Sequence, residues 1–185
     1  MNIDKTKGHA GETIIGMEND QIKKKAAEII IEAVKFSVVS GMMARDIGVE
    51  CSASLQRNIR DAMFHYRKLC IYADQANDEY VLKHYYNLKE HIIRGEKDAI
   101  ILQAGNVLDA LYELQQRKYF LEFTPWEVKE LQLHSHKIRE VILDIRTDGI
   151  DPDSQQGFPL STFSELKKYI RCIMEICENR NIPLF

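Results

Sequence analysis

The sequence predicts an all-α protein, a single-domain helical bundle of about five to six helices. Three observations carry that prediction. Apolar residues recur at intervals of three and four along most of the chain, with no persuasive alternating strand. Serine, threonine, asparagine or aspartate stands just ahead of most of the apolar runs, where it can cap a helix. Only four prolines and nine glycines punctuate 185 residues.

The polar, glycine-bearing residues 1–17 read as a flexible N-terminal tail, leaving residues 18–185 for the bundle. The first helix starts near Asn19 or Asp20, with Ile22, Ala26, Ile29, Ile30, Ala33 and Val34 as its apolar stripe. Gly41 and Gly48 loosen its end. Ser52 or Ser54 caps a second helix that reaches about Gln75. A third runs from about Asn77 to Ile93, where Arg94-Gly95 offers a stop or kink, and another covers Glu96 to about Lys118. Thr124-Pro125-Trp126-Glu127 is the clearest start, with an N-cap hydroxyl, proline at the first helical position and glutamate at the third. Its helix continues to about Thr147. A turn-rich loop over 148–161 follows, and Thr162 with Glu165 suggests a second capping box opening a last helix to about Asn179. Trp126 and Phe158 read as core anchors by default.

Composition excludes several function classes. A formal net charge of −3, from 25 basic and 28 acidic residues, excludes a broadly basic nucleic-acid coat but leaves room for a local basic site. An apolar fraction of 45% excludes general disorder. The most apolar stretch, residues 29–43, is interrupted by Glu32 and Lys35 and is shorter than the roughly 20 apolar residues a membrane span needs. No secretory leader precedes it, so a soluble, cytoplasmic protein with no membrane partner is expected.

The expected cofactor and metal set is none. Cys51, Cys70, Cys172 and Cys177 form no CxxC pair and read as small buried side chains in a reducing compartment. His134 and His136 lie about 200° apart around a helix and so cannot share a metal on one face. Asp148, Asp151 and Asp153 lack the closing glutamate of a calcium loop. Phosphate-cradling glycine loops and nucleophile elbows are absent.

What remains is the second helix. Leu55, Ile59, Ala62, Met63, Tyr66, Leu69, Cys70 and Ala73 form its inward stripe, with Arg60, Asp61, Phe64, His65, Lys68 and Ile71 on the other side. Phe64 and Ile71 there suggest cover by another helix or another subunit. Asp61 and His65 are one turn apart, so the carboxylate can hold one imidazole nitrogen.

The run Arg60-Asp61-Ala62-Met63-Phe64-His65 resembles the HEPN-domain motif: arginine, four to six residues, histidine, often with a polar residue after the arginine. The resemblance covers that motif and a compatible all-α background. It implies a HEPN-like bundle that forms a homodimer, bringing two motifs together. It further implies a metal-independent endoribonuclease or RNA-binding effector of a toxin–antitoxin or phage-defence type, with an RNA substrate and a protein partner such as an antitoxin. In that chemistry His65 is the general acid or base, Arg60 clamps the phosphate and Asp61 orients the imidazole. Arg57, Arg67 and Lys68 extend the cationic surface as RNA-binding residues. Tyr66, Tyr72, Tyr80, Tyr85 and Tyr86 read as packing residues before base-stacking ones. His84, Tyr85, Tyr86 and His91 could line a cleft against His65. The alternative reading is a non-catalytic helical scaffold or regulatory protein-interaction domain.

Overall fold

The computed structural model describes residues 17–147 and 160–185, without the side chains of residues 118, 119 and 160–162. Within them the chain is a bundle of five α-helices: α1 (Asn19–Asp46), α2 (Ala53–Asp74), α3 (Asp78–Gln116), α4 (Pro125–Thr147) and α5 (Leu160–Glu178). A 3-10 turn, Lys118–Glu122, joins α3 to α4. Among the described residues no helix is long and apolar enough to cross a membrane. Residues 1–16 of the tail, the loop at 148–159 with Asp148, Asp151 and Asp153, and Phe158 lie outside the described residues.

Local chemistry sets most helix ends. The Ser52 hydroxyl accepts from the Leu55 N–H at 3.2 Å, and the Asn77 side chain accepts from the Tyr80 N–H. At α4 the expected capping box is formed. Thr124 Oγ1 accepts from the Glu127 N–H at 3.3 Å, and Glu127 Oε2 accepts from the Thr124 N–H at 2.7 Å. Arg180 adds two contacts of 2.8 Å to Glu127, and together these donors hold its carboxyl at about 2.

Three helices end alike. Val49 N–H reaches back to Ala44 O, Asn77 N–H to Tyr72 O, and Ile182 N–H to Cys177 O, each spanning a left-handed residue. Those residues are Gly48 (φ 68°), Ala76 (φ 52°) and Asn181 (φ 54°). Gly48 therefore stops α1, whereas Gly41 sits inside it.

The α2–α3 hairpin is the tightest part of the bundle. The break expected at Arg94-Gly95 does not occur, because α3 runs unbroken for 39 residues. Gly95 is there for proximity: a Cβ on it would lie 2.8 Å from Asn58 Cβ and 3.3 Å from Leu55 Cα. Backbone approach, not helix termination, is what this glycine provides.

α1 runs alongside, tied by Lys23 to Asp74 (2.8 Å) and by Gln103 Nε2 donating to Ser40 O and Oγ, both at 2.8 Å. The Phe36 and Phe163 rings meet edge to face at 5.1 Å and tie α1 to α5. Phe163, Leu166, Ile170, Ile173 and Cys177 fill the core side of α5. Burial pushes the Cys177 thiol up to about 11, while Cys70 and Cys172 are half-buried and Cys51 is exposed.

Four further expectations are corrected. Val34 and Met63 lie on exposed faces instead of the inward stripes of α1 and α2, since the core takes Phe36 and Ala62 at those levels. Trp126 is 65% exposed: its place in the first turn of α4 points it past the end of the core. The last helix opens at Leu160, so Thr162 lies inside it and not at its cap.

Candidate functional site

Every seventh residue of α2 and α3 meets along one edge of their hairpin. α2 contributes Asn58, His65 and Tyr72; α3 contributes His84, His91 and Asp98. Seven residues are nearly two full turns, so each set lies on a single face.

The contacts form a polar, aromatic ladder. At one end the Ser54 hydroxyl donates to Asp98, and the Asn58 amide nitrogen donates to Ser54 O at 3.0 Å. Asn58 Oδ1 lies 3.2 Å from His91 Nδ1. A carbonyl oxygen only accepts, so His91 carries its proton on Nδ1. His65 stacks on His91 at 5.3 Å, and its Nδ1 lies 2.8 Å from His84 Nδ1. His84 stacks in turn on Tyr72 at 5.4 Å, and Tyr72 meets Tyr80 at 4.9 Å. Phe64 closes edge-on against His65 at 5.5 Å.

This arrangement decides protonation. Burial first, then the charges of His84 and His91, lower the pKa of His65 below the usual imidazole value, against a smaller opposing pull from Asp61. His84 is lowered by burial and by Lys83 and Lys68. One imidazole of the His65–His84 pair must accept through its Nδ1 lone pair, so the pair holds at most one extra proton while that bond lasts. At neutral pH His65 and His84 are therefore neutral bases.

The predicted site residues divide between two sides of α2. His65 lies in the seam. Arg57, Arg60, Phe64, Arg67, Lys68 and Ile71 lie on the outward side, with Phe64 and Ile71 uncovered within one chain. The Lys68 ammonium sits 5.8 Å from the Phe64 ring centre. Arg60 is 75% exposed, and its Nε is 3.6 Å from Asp61 Oδ1. Five residues along a helix make about 140°, so Arg60 and His65 of one chain diverge.

The expected Asp61–His65 hydrogen bond is not formed. His65 Nδ1 is engaged across the seam by His84, and Asp61 pairs with Arg60 instead. Of the side chains suggested for a cleft, His84 and His91 do meet His65. Tyr85 is in the core, with Lys89 over its ring at 5.9 Å, and Tyr86 packs edge-on against it. Asn58 was not anticipated; the seven-residue spacing of Asn58, His65 and Tyr72 is the signal that marks it. Among the described residues no group of three His, Cys, Asp or Glu side chains has metal-holding geometry.

No protein-family model matches the chain, and neither does any curated protein or solved structure.

Proposed function

We propose that this protein binds RNA through the outward face of α2 and cleaves it without metal, using His65 for proton transfer. The observation that carries the reading is the cationic face itself. Arg57, Arg60, Arg67 and Lys68 surround an exposed aromatic ring, Phe64, with Asp61 the one acid between Gln56 and Lys68. Guanidinium groups suit phosphate oxygens, and an exposed ring suits an unstacked base. Beside that face lies a neutral histidine pair suited to taking a proton at pH 7.

In the reaction, His65 removes the 2′-hydroxyl proton, and the 2′-oxygen attacks the adjacent phosphorus. Arg60 neutralises the phosphorane oxygens. The P–O5′ bond breaks, the leaving oxygen takes up a proton, and the products are a 2′,3′-cyclic phosphate and a 5′-hydroxyl. Because Arg60 and His65 diverge on one helix, the RNA strand crosses the Phe64–Lys68 ridge to meet both, or a second chain supplies one of them. An effector of the toxin or phage-defence type, as the HEPN resemblance implies, is the corresponding biological setting.

The test is incubation of end-labelled single-stranded RNA with wild type, Arg60→Ala and His65→Ala in the presence of a chelator. Wild type is expected to leave cyclic-phosphate ends, and each variant to lose about 100-fold or more in rate. Cleavage that survives in both variants overturns the catalytic roles. The same divergence of Arg60 from His65, with Phe64 and Ile71 exposed, favours a second reading: a non-catalytic scaffold. Absence of both cleavage and RNA retention in wild type selects that reading.

A further inference from the structure

α1 has two apolar faces, and among the described residues the bundle buries one of them. Ile22, Ala26, Ala33, Phe36, Met43 and Ala44 are buried against α2, α3 and α5. On the opposite side Ile31, Val34, Val38 and Met42 stand in a row at spacings of three, four and four, each between 46% and 58% exposed. Those eleven intervals span about 16 Å, close to two coiled-coil heptads. Exposed Met63 widens the strip. It lies eleven residues, or three turns, before Asp74, on the edge of α2 that reaches Lys23 of α1. A contiguous row of large apolar side chains marks an interface.

We propose that a second copy of this chain docks on this face, with the two α1 helices antiparallel. The charges at the ends of the row argue for that occupant. Glu28 lies three residues before Ile31, and Arg45 lies three residues after Met42. Both are exposed, and neither makes an ion pair among the described residues. An antiparallel pair centred between Phe36 and Ser37 sets Ile31 level with Met42 of the other copy. It also sets Glu28 level with Arg45 of the other copy, at both ends at once. A parallel pair would set Glu28 against Glu28 and Arg45 against Arg45, which is repulsive. Lys35, the charge nearest the centre, is already neutralised by Glu32 at 2.6 Å. The two-fold relation makes the surface self-complementary, as a closed dimer requires. The proposal stands apart from the reading of α2, since none of these residues belongs to the cationic face or the histidine seam.

The test is sedimentation velocity of the full chain from low to high micromolar concentration, beside Val38→Glu, Glu28→Arg, Arg45→Glu and the double reversal Glu28→Arg/Arg45→Glu. Wild type is expected to form a concentration-dependent dimer, and Val38→Glu to stay monomeric with unchanged helical circular dichroism. Each single reversal should raise the dimer dissociation constant about tenfold or more, and the double reversal should restore it. Wild type that stays monomeric throughout overturns the proposal, as does a dimer that Val38→Glu leaves intact. A double reversal no better than its singles overturns the antiparallel register. The charge reversals lie wholly on the surface, so they keep the test informative even where Val38→Glu fails to fold.

Discussion

Two glycines in α3 are expected to respond to the same substitution with opposite signs. Replacing a helix-interior glycine by alanine stabilises by about 1 kcal/mol where there is room, because glycine has the larger conformational entropy to lose. Gly105 has room: beyond its own helix backbone, nothing among the described residues lies within 4 Å of a Cβ built on it. Gly95 does not. Its Cβ would fall 2.8 Å from Asn58 Cβ, about 0.7 Å inside the shortest comfortable carbon–carbon contact. Asn58 Cβ is fixed to the α2 backbone, and Leu55 Cα at 3.3 Å is backbone itself, so no side-chain rotation relieves the overlap. The helices must part, at a cost of about 1–3 kcal/mol for overpacking.

Net of the propensity gain, Gly95→Ala should destabilise by up to about 2 kcal/mol. Gly105→Ala should stabilise by about 0.5–1 kcal/mol. For a chain of this size 1 kcal/mol moves Tm by roughly 2–4 °C, so the two variants should melt several degrees apart on either side of wild type. Urea unfolding followed by circular dichroism gives the free energies directly. A Gly95→Ala protein as stable as Gly105→Ala would refute the argument that Gly95 is required for the approach of α2.

Acid should loosen the seam before it protonates the carboxylates. His65 and His84 have folded pKa values below 6.5, so between those values and 6.5 the unfolded chain binds more protons and stability rises with pH. Their contribution is complete above about 6.5 and is lost as pH falls through the folded values. The urea midpoint is therefore expected to drop between pH 7.5 and 5.5, less steeply in His84→Gln; a midpoint flat over that window would contradict the shifts. Ala76 holds a left-handed conformation that costs an L-residue about 1 kcal/mol, so Ala76→Gly should stabilise by about 0.5–1 kcal/mol in the same assay. Loss of stability in that variant would mean that the α2–α3 turn is held by something other than its backbone geometry.

How much was legible in the sequence depended on the range of the interaction involved. The starts behind Ser52, Asn77 and Thr124 could be read because each cap bonds an N–H only three residues further on. Gly95 was misread as a stop because its reason lies on α2, nearly forty residues earlier. Val34 and Met63 were placed inward because an apolar residue on a helix with two apolar faces fits either stripe, and only the partner helices choose between them. At the site, the outward cationic face was legible because helical phase alone defines it. The partner of His65 was not, because two groups compete for its Nδ1. Asp61 is four residues away and His84 is nineteen, and the imidazole across the seam takes the bond. Trp126 was misjudged for a related reason: hydrophobicity predicts burial only where the helix has a neighbour to bury it.

The two sides of α2 also explain why a net charge of −3 is compatible with a phosphate-binding surface. The helix separates its permanent cations from its titratable bases. Arg57, Arg60, Arg67 and Lys68 face water, where charge costs little desolvation and where counterions or phosphates can reach it. His65, His84 and His91 stack in the seam, where burial disfavours the protonated form of His65 and His84. If His65 and His84 were both charged at neutral pH, the seam would add two cations beside four and repel itself across a 2.8 Å contact. Kept neutral, the seam remains closed, and the cationic face is set by arginine and lysine, whose charge does not change near pH 7. Gly95 is the geometric condition for that division: the close approach it permits between α2 and α3 lets the imidazoles meet, half-buried, in the seam. Packing and electrostatics at this site are thus one arrangement, in which α2 presents constant positive charge outward and neutral bases along its inner edge.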